Sequence, residues 1–120
     1  MERPTVVLVC GGRDYANRAA VWAALDSVAS YHPGFALVQG GARGADALAR
    51  AWAAAHGHPC FTADAHWDYY GRGRAGPLRN GWMLTFMRPD FVLHFPGGSG
   101  TTDMVRRARK MGVPTYPGEP

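Results

Sequence analysis

Phe35-Ala36-Leu37-Val38, followed by Gly40-Gly41-Ala42-Arg43-Gly44-Ala45-Asp46, is the stretch that decides the fold. A short apolar run bounded by turn residues reads as a buried strand, and the alanine-rich segment Ala45–His56 behind it reads as a helix. Leu48, Ala49, Trp52 and Ala55 would share one face of that helix, with Gly57 as its stop. A strand that turns on glycines into a helix presents bare backbone N–H groups at the positive end of a helix dipole, which suits phosphate or another anion. The arrangement recurs downstream. Asp90–Phe95 reads as a strand, Pro96-Gly97-Gly98-Ser99-Gly100-Thr101-Thr102-Asp103 as the turn, and Thr101–Met111 as the helix. Two such turns make a phosphate-bearing ligand the leading expectation.

Working outward, Thr5–Cys10 is a β-branched run ending at Gly11-Gly12 and reads as a central strand. Asn17 caps a helix expected over Arg18–Ser30, with Val21, Leu25 and Val28 as its apolar stripe and Pro33-Gly34 as its end. Pro59–Thr62 is a third, short strand. Ala63 to Gly76 reads as a long irregular stretch, and a helix is expected over Pro77–Met87, stopped by Pro89. In the last helix Met104, Val105, Ala108 and Met111 would face inward, and Arg106, Arg107, Arg109 and Lys110 outward. Val113–Tyr116 is a fifth strand whose proline suits an edge, and the tail Pro117–Pro120 should fray. Strand and helix thus alternate along the chain. The expected fold is a single α/β domain over residues 1–120, three layers thick, with a parallel five-stranded sheet in order 3-2-1-4-5 and helices on both faces. In that order the turns after strands one, two and four converge at the switch point where ligands bind.

The candidate ligand-binding residues follow: Gly12, Arg13 and Asp14; Gly40, Gly41, Ala42, Arg43, Gly44 and Asp46; Pro96, Gly97, Gly98, Ser99, Gly100, Thr101 and Thr102. Arg79 and Asn80 join them, placed at the start of a helix beneath the second turn. The planar fork of arginine suits phosphate oxygens; Arg72 and Arg74 are further candidates, against a reading as solvated loop residues. Trp67, Tyr69 and Tyr70 would either stack on a base or pin their loop. Asp46 and Asp103 each read either as helix-dipole partners or as chemistry, Asp46 toward a ribose hydroxyl and Asp103 as the candidate catalytic carboxylate.

Neither turn is a standard cofactor fingerprint. Pro96–Thr102 lacks a Walker lysine and Gly11-Gly12 lacks GxGxxG spacing, so no cofactor is expected. His56 and His58 have no neighbouring cysteine or carboxylate to complete a metal set, and His94 reads as a core residue. Ser99 has no adjacent histidine base and reads as at most a phosphate donor.

The turn Gly40–Asp46 with Ala47-Leu48-Ala49 resembles that of the DNA-processing protein DprA. Pro96–Thr101 resembles the PGGxGT turn of LOG-type phosphoribohydrolases, and both belong to the SLOG superfamily. With Gly12-Arg13-Asp14-Tyr15 and Ala75-Gly76-Pro77-Leu78-Arg79-Asn80, the chain is similar to the small YspA/YpsA-related branch over about residues 5–116. That resemblance implies a Rossmann-like fold, a pocket for a nucleotide or nucleotide-derived ligand, a bacterial or phage source, and a role as sensor rather than enzyme. The LOG pattern PGGxGTxxE places its glutamate where this chain has Met104, which can neither donate nor accept a proton. A nucleotide-processing enzyme is the alternative, and DprA-like binding of nucleic acid through the basic face of the last helix the second.

The net charge of +4 suits an anionic partner without naming one, and 47% hydrophobic against 18% charged residues is a globular balance. Cys10 and Cys60 sit at strand ends as expected buried, reduced thiols. No signal sequence or membrane-length apolar run is present, so a cytoplasmic protein with no membrane partner is expected. An outward Trp82/Met83 surface would allow a homodimer.

Overall fold

The computed structural model describes residues 3–64 and 72–119, and the side chains of 72–74 are not among those described. The strands are β1 (Val6–Cys10), β2 (Ala36–Gln39), β3 (Cys60–Thr62), β4 (Phe91–His94) and β5 (Thr115–Pro117). All pair in parallel in the order β3-β2-β1-β4-β5, with Val7 beside Leu37 and Leu8 beside Val92 at the centre. The helices are α1 (Arg18–Tyr31), α2 (Ala45–His56), α3 (Arg72–Trp82) and α4 (Ser99–Lys110), and α3 runs on into one π-helical stretch, Met83–Met87. The fold is Rossmann-like.

Period-two alternation divides the sheet between two cores. Val7, Val9, Leu37 and Phe35 face α1 and α2, meeting Val21, Leu25, Ala49, Trp52 and Ala53. Leu8, Val38 and Val92 face the opposite way onto Met83, Leu84, Met104 and Ala108. Each fully buried leucine or valine contributes roughly 1.5–3 kcal/mol. Trp52 anchors the first layer. It stacks on Phe35 at 5.5 Å, and its indole N–H donates to Asp26 at 2.8 Å, so the largest core side chain leaves no orphan donor.

Several expectations are corrected. The inward face of α2 is Ala45, Ala49, Trp52 and Ala53, with Ala55 exposed. α3 begins five residues before Pro77, within the stretch expected to be irregular, because packing of Ala75 (1% exposed) overrides a glycine-rich sequence. Pro77 therefore lies inside the helix, where it forgoes one backbone hydrogen bond. Arg79 and Asn80 belong to its last turns rather than its first. Arg88, at φ 47°, breaks the helix just before Pro89. Met83 is buried and only Trp82 of the expected Met/Trp surface faces outward; Met111 is exposed. Cys60, on the edge strand β3, is exposed. The tail is held: Gly118 N–H donates to His94 C=O at 2.7 Å, and Asn17 reaches Glu119 at 3.4 Å. Among the described residues no helix is long and apolar enough to cross a membrane. Trp67, Tyr69 and Tyr70, and the side chains of Arg72 and Arg74, lie outside the described residues.

Candidate functional site

Strand order changes sides between β1 and β4, and there the loops after β1, β2 and β4 interlock through one peptide group. Gly12 N–H donates to Pro96 C=O at 2.8 Å, while Gly12 C=O accepts from Ala45 N–H at 3.2 Å and Tyr15 N–H at 3.2 Å. The glycines are needed because backbone meets backbone. A Cβ on Gly12 would lie 2.9 Å from Pro96 O, one on Gly97 would lie 2.7 Å from Gly12 N, and Gly44 (φ 78°) runs against the Gly12 carbonyl.

The first turn is occupied by the chain itself. The Asp46 carboxylate, 6% exposed, accepts from Gly40 N–H at 3.0 Å and Ala42 N–H at 3.2 Å. Gln39 Oε1 accepts from Gly41 N–H at 2.6 Å and from Arg50 at 2.9 Å. Arg50 also donates to Ala42 C=O at 3.2 Å, and Arg79 to Gly40 C=O at 2.8 Å. Three successive turn amides are thereby satisfied by side chains. Burial raises the Asp46 carboxyl above its usual range despite the two amides and the Arg79 and Arg50 charges, and burial lowers Arg79. Cys10, beneath them, is pushed up to about 12 by burial and by Asp46. Sequence reasoning missed Gln39 and Arg50. A glutamine closing an otherwise apolar strand, and an arginine one helical turn after Asp46, were the signals.

The second turn is different. Pro96–Gly100 are all exposed, α4 has no side-chain cap at Gly98 and no acidic residue in its first turn. The N–H groups of Ser99, Gly100 and Thr101 belong to the unsatisfied first turn of a helix, and the first backbone bond into it is Thr102 N–H to Gly98 C=O at 3.1 Å. Thr102 Oγ1 donates to the same carbonyl at 3.2 Å.

Arg79 and Asn80 join the two turns. Arg79 Nε donates to Asn80 Oδ1 at 3.2 Å; Asn80, 3% exposed, donates to Gly100 C=O at 3.1 Å and to Asp103 at 3.0 Å. Asp103 accepts two further bonds, from Arg106 at 2.7 Å and Arg107 at 2.9 Å. Burial alone would raise its pKa, but these bonds outweigh it and hold the carboxyl below its ordinary value. The expected outward basic face is thus divided, with Arg106 and Arg107 turned onto Asp103. Met104 is buried in the second core. Arg13 is exposed at the rim; Arg43 and Asp14 pair at 3.2 Å but are 75% and 93% exposed, so their pair is worth little. Among the described residues no three His, Cys, Asp or Glu side chains gather as a metal set.

Residues 5–70 match the YspA, cpYpsA-related SLOG family, and the chain belongs to that family. It is 39% identical over 116 residues to the Gene 61 protein of Mycobacterium phage D29, covering 90% of this chain and 91% of that one. The X-ray structure of TM1055 superposes with a TM-score of 0.74 at 17% identity, over 94% of this chain and 72% of that one. DNA processing protein A (DprA) from Streptococcus pneumoniae superposes with a TM-score of 0.54 at 17% identity, over 94% of this chain and 58% of that one. These two likenesses show the shared fold.

Proposed function

We propose that the chain binds a nucleotide-derived, phosphate-bearing ligand at the C-terminal ends of β1, β2 and β4, as a cytoplasmic binding or sensing domain without strong catalysis. The observation that carries this reading is the first turn of α4: uncapped, free of acidic residues and exposed, beside the interlocked loops at the switch point. A ligand phosphate would take the amides of Ser99, Gly100 and Thr101, with Arg13, Arg43 and Arg79 supplying positive field around it. Family membership supports the nucleotide class.

Binding is favoured over hydrolysis by the state of the carboxylates. Asp103 already accepts three hydrogen bonds, Asp46 is committed to the first turn, and Met104 lies in the core. A nucleic-acid track along α4 is disfavoured because half of its four cations are held by Asp103.

The test is thermal unfolding against a panel of AMP, ADP, ATP, GTP, NAD, ADP-ribose and cyclic derivatives, followed by chromatography of each ligand. Ligand at a hundred times its Kd adds about 2.7 kcal/mol, a shift of several degrees for a domain this size. A shift with the ligand intact supports the reading. Free base or ribose phosphate would turn it toward an enzyme, and no shift with any member would refute it.

A further inference from the structure

The outer side of α4 borders a groove that adjoins the phosphate site above, shares Thr101 with it and extends well beyond it. It has a volume of about 1050 Å³ and begins at Pro96 and Gly97, on the flank of the second turn. His94 and Phe95 form its floor, and the ordered tail, Pro117 and Glu119, is one wall. The other wall is the α4 stripe of Val105, Arg106, Arg109 and Lys110. Arg106 is already paired with Asp103, but among the described residues neither Arg109 nor Lys110 has a carboxylate within ion-pair distance. His94 Nε2 is shielded from solvent with no hydrogen-bond partner among the described residues, and burial, with Arg109 beside it, holds the imidazole below its usual range. The floor therefore contributes apolar and neutral surface, the far end of the helix wall carries two positive charges, and the tail wall carries the single carboxylate of Glu119, which accepts from Asn17. That pairing fits a flat, uncharged ring joined to an anion.

Geometry sets the length. From the first-turn amides of α4 to Arg109 and Lys110 is about nine residues, or roughly 14 Å of helix. The long side chains of Arg109 and Lys110, which border the groove and lean toward the helix N-terminus, shorten this gap. What remains to be bridged exceeds the spacing of adjacent phosphates in a diphosphate and is of the order of that between successive phosphates along one strand. Pockets for drug-sized ligands occupy roughly 300–1,000 Å³, so the groove has room for a whole nucleoside phosphate.

We propose that this groove is the second half of the binding site, taking a nucleoside phosphate linked to the one held at the α4 N-terminus, so that the preferred ligand is of dinucleotide size with two separated phosphate groups. The inference rests on the phosphate site proposed above. Its test is calorimetric titration with nucleoside 5′-monophosphates and with the four 5′-phosphorylated homodinucleotides, on the wild-type chain and on Arg109→Ala/Lys110→Ala. Both side chains are exposed, and an unchanged Tm checks the variant's folding. At least one dinucleotide should bind tenfold or more tighter than its mononucleotide. The double variant should cut that affinity about tenfold while leaving the mononucleotide within twofold. Equal affinity for mono- and dinucleotide, or a dinucleotide affinity indifferent to the double variant, overturns the groove and leaves the phosphate site standing. Binding of neither class overturns the phosphate site and the groove together. Affinity that keeps rising with the length of a single-stranded oligonucleotide overturns the dinucleotide size and makes the groove a nucleic-acid track.

Discussion

Gly100→Asp separates the fold from the binding site. Gly100 is the second residue of α4, its backbone is not in the left-handed region, and a Cβ there would meet nothing within 4 Å. An aspartate is therefore accommodated. In the unliganded protein it should stabilise by about 0.3–1 kcal/mol, because a carboxylate in the first turn complements the helix dipole and glycine is a poor helix former. Toward a phosphate the sign reverses. A carboxylate about 5 Å from a phosphate charge, at an effective dielectric of about 20, repels it by roughly 3 kcal/mol, which is about two orders of magnitude in Kd. Ligand at a hundred times the wild-type Kd stabilises the native protein by about 2.7 kcal/mol but would stabilise the variant by only about 0.4 kcal/mol. The assay is paired thermal melts with and without the best ligand of the panel, backed by titration calorimetry. Apo Tm equal or higher, with the ligand shift lost, is the expected pair of results. A variant that keeps its ligand affinity within threefold would falsify the placement of phosphate on this turn.

Other outcomes follow from the same geometry. Asn80→Ala removes the link between Gly100 and Asp103 and should cost about 1–3 kcal/mol in urea unfolding, with weaker ligand binding; unchanged stability and affinity would refute its bridging role. The folded Asp103 carboxyl lies below its unfolded value of 3.8, so it stabilises above that value and the gain is lost as pH falls through the folded value. Asp103→Asn should accordingly lower Tm at pH 7 and lose much of that deficit in strong acid, and a pH-independent deficit would contradict the assignment. Iodoacetamide at pH 8 should alkylate exposed Cys60, slowly because partial burial raises its thiol too, and spare Cys10, whose thiol is pushed up to about 12, until the protein is unfolded; mass spectrometry reading equal labelling rates at the two would be the contrary result. Met104→Glu restores the LOG-pattern residue but buries a carboxylate among Leu8, Val38 and Met83, so it should destabilise by several kcal/mol and release no base from any nucleotide.

The alternation of strands and helices, the parallel sheet and its order were legible because the punctuation was sharp. α2 runs from Ala45 to His56 as expected, since Gly44 and Gly57 take positive φ at either end, Gly57 as a left-handed cap. The early start of α3 was not legible, because two glycines and a proline among the six residues Arg72-Gly73-Arg74-Ala75-Gly76-Pro77 outweigh the helix-forming arginines and alanine locally, and packing supplies the reason for a helix there. The converging turns were visible as motifs. Their inner wiring was not, because Gln39, Asp46, Arg50 and Arg79 meet only when α2 and α3 are folded onto the strand ends. Periodicity on α4 identified four basic residues but could not say that Arg106 and Arg107 would fold back on Asp103.

The two glycine turns look alike in sequence and differ in electrostatics, and that difference divides their roles. The N-terminus of α2 brings its own anion, Asp46, whose carboxylate takes the amides of Gly40 and Ala42. A second anion there would have to displace a buried carboxylate and face its charge. The N-terminus of α4 brings none. The carboxylate on its own helix, Asp103, is held by Asn80, Arg106 and Arg107, so that charge is offset before a ligand arrives. On the proposed reading the first turn acts as scaffold. It fixes Arg79 through the Gly40 carbonyl, Arg79 donates to Asn80, and Asn80 holds Gly100. On that reading, the turn that would receive the ligand is set in place by the one that would not. A change in the first turn should then register as lost affinity at the second, even though the proposed phosphate position makes no use of Gly40 or Asp46.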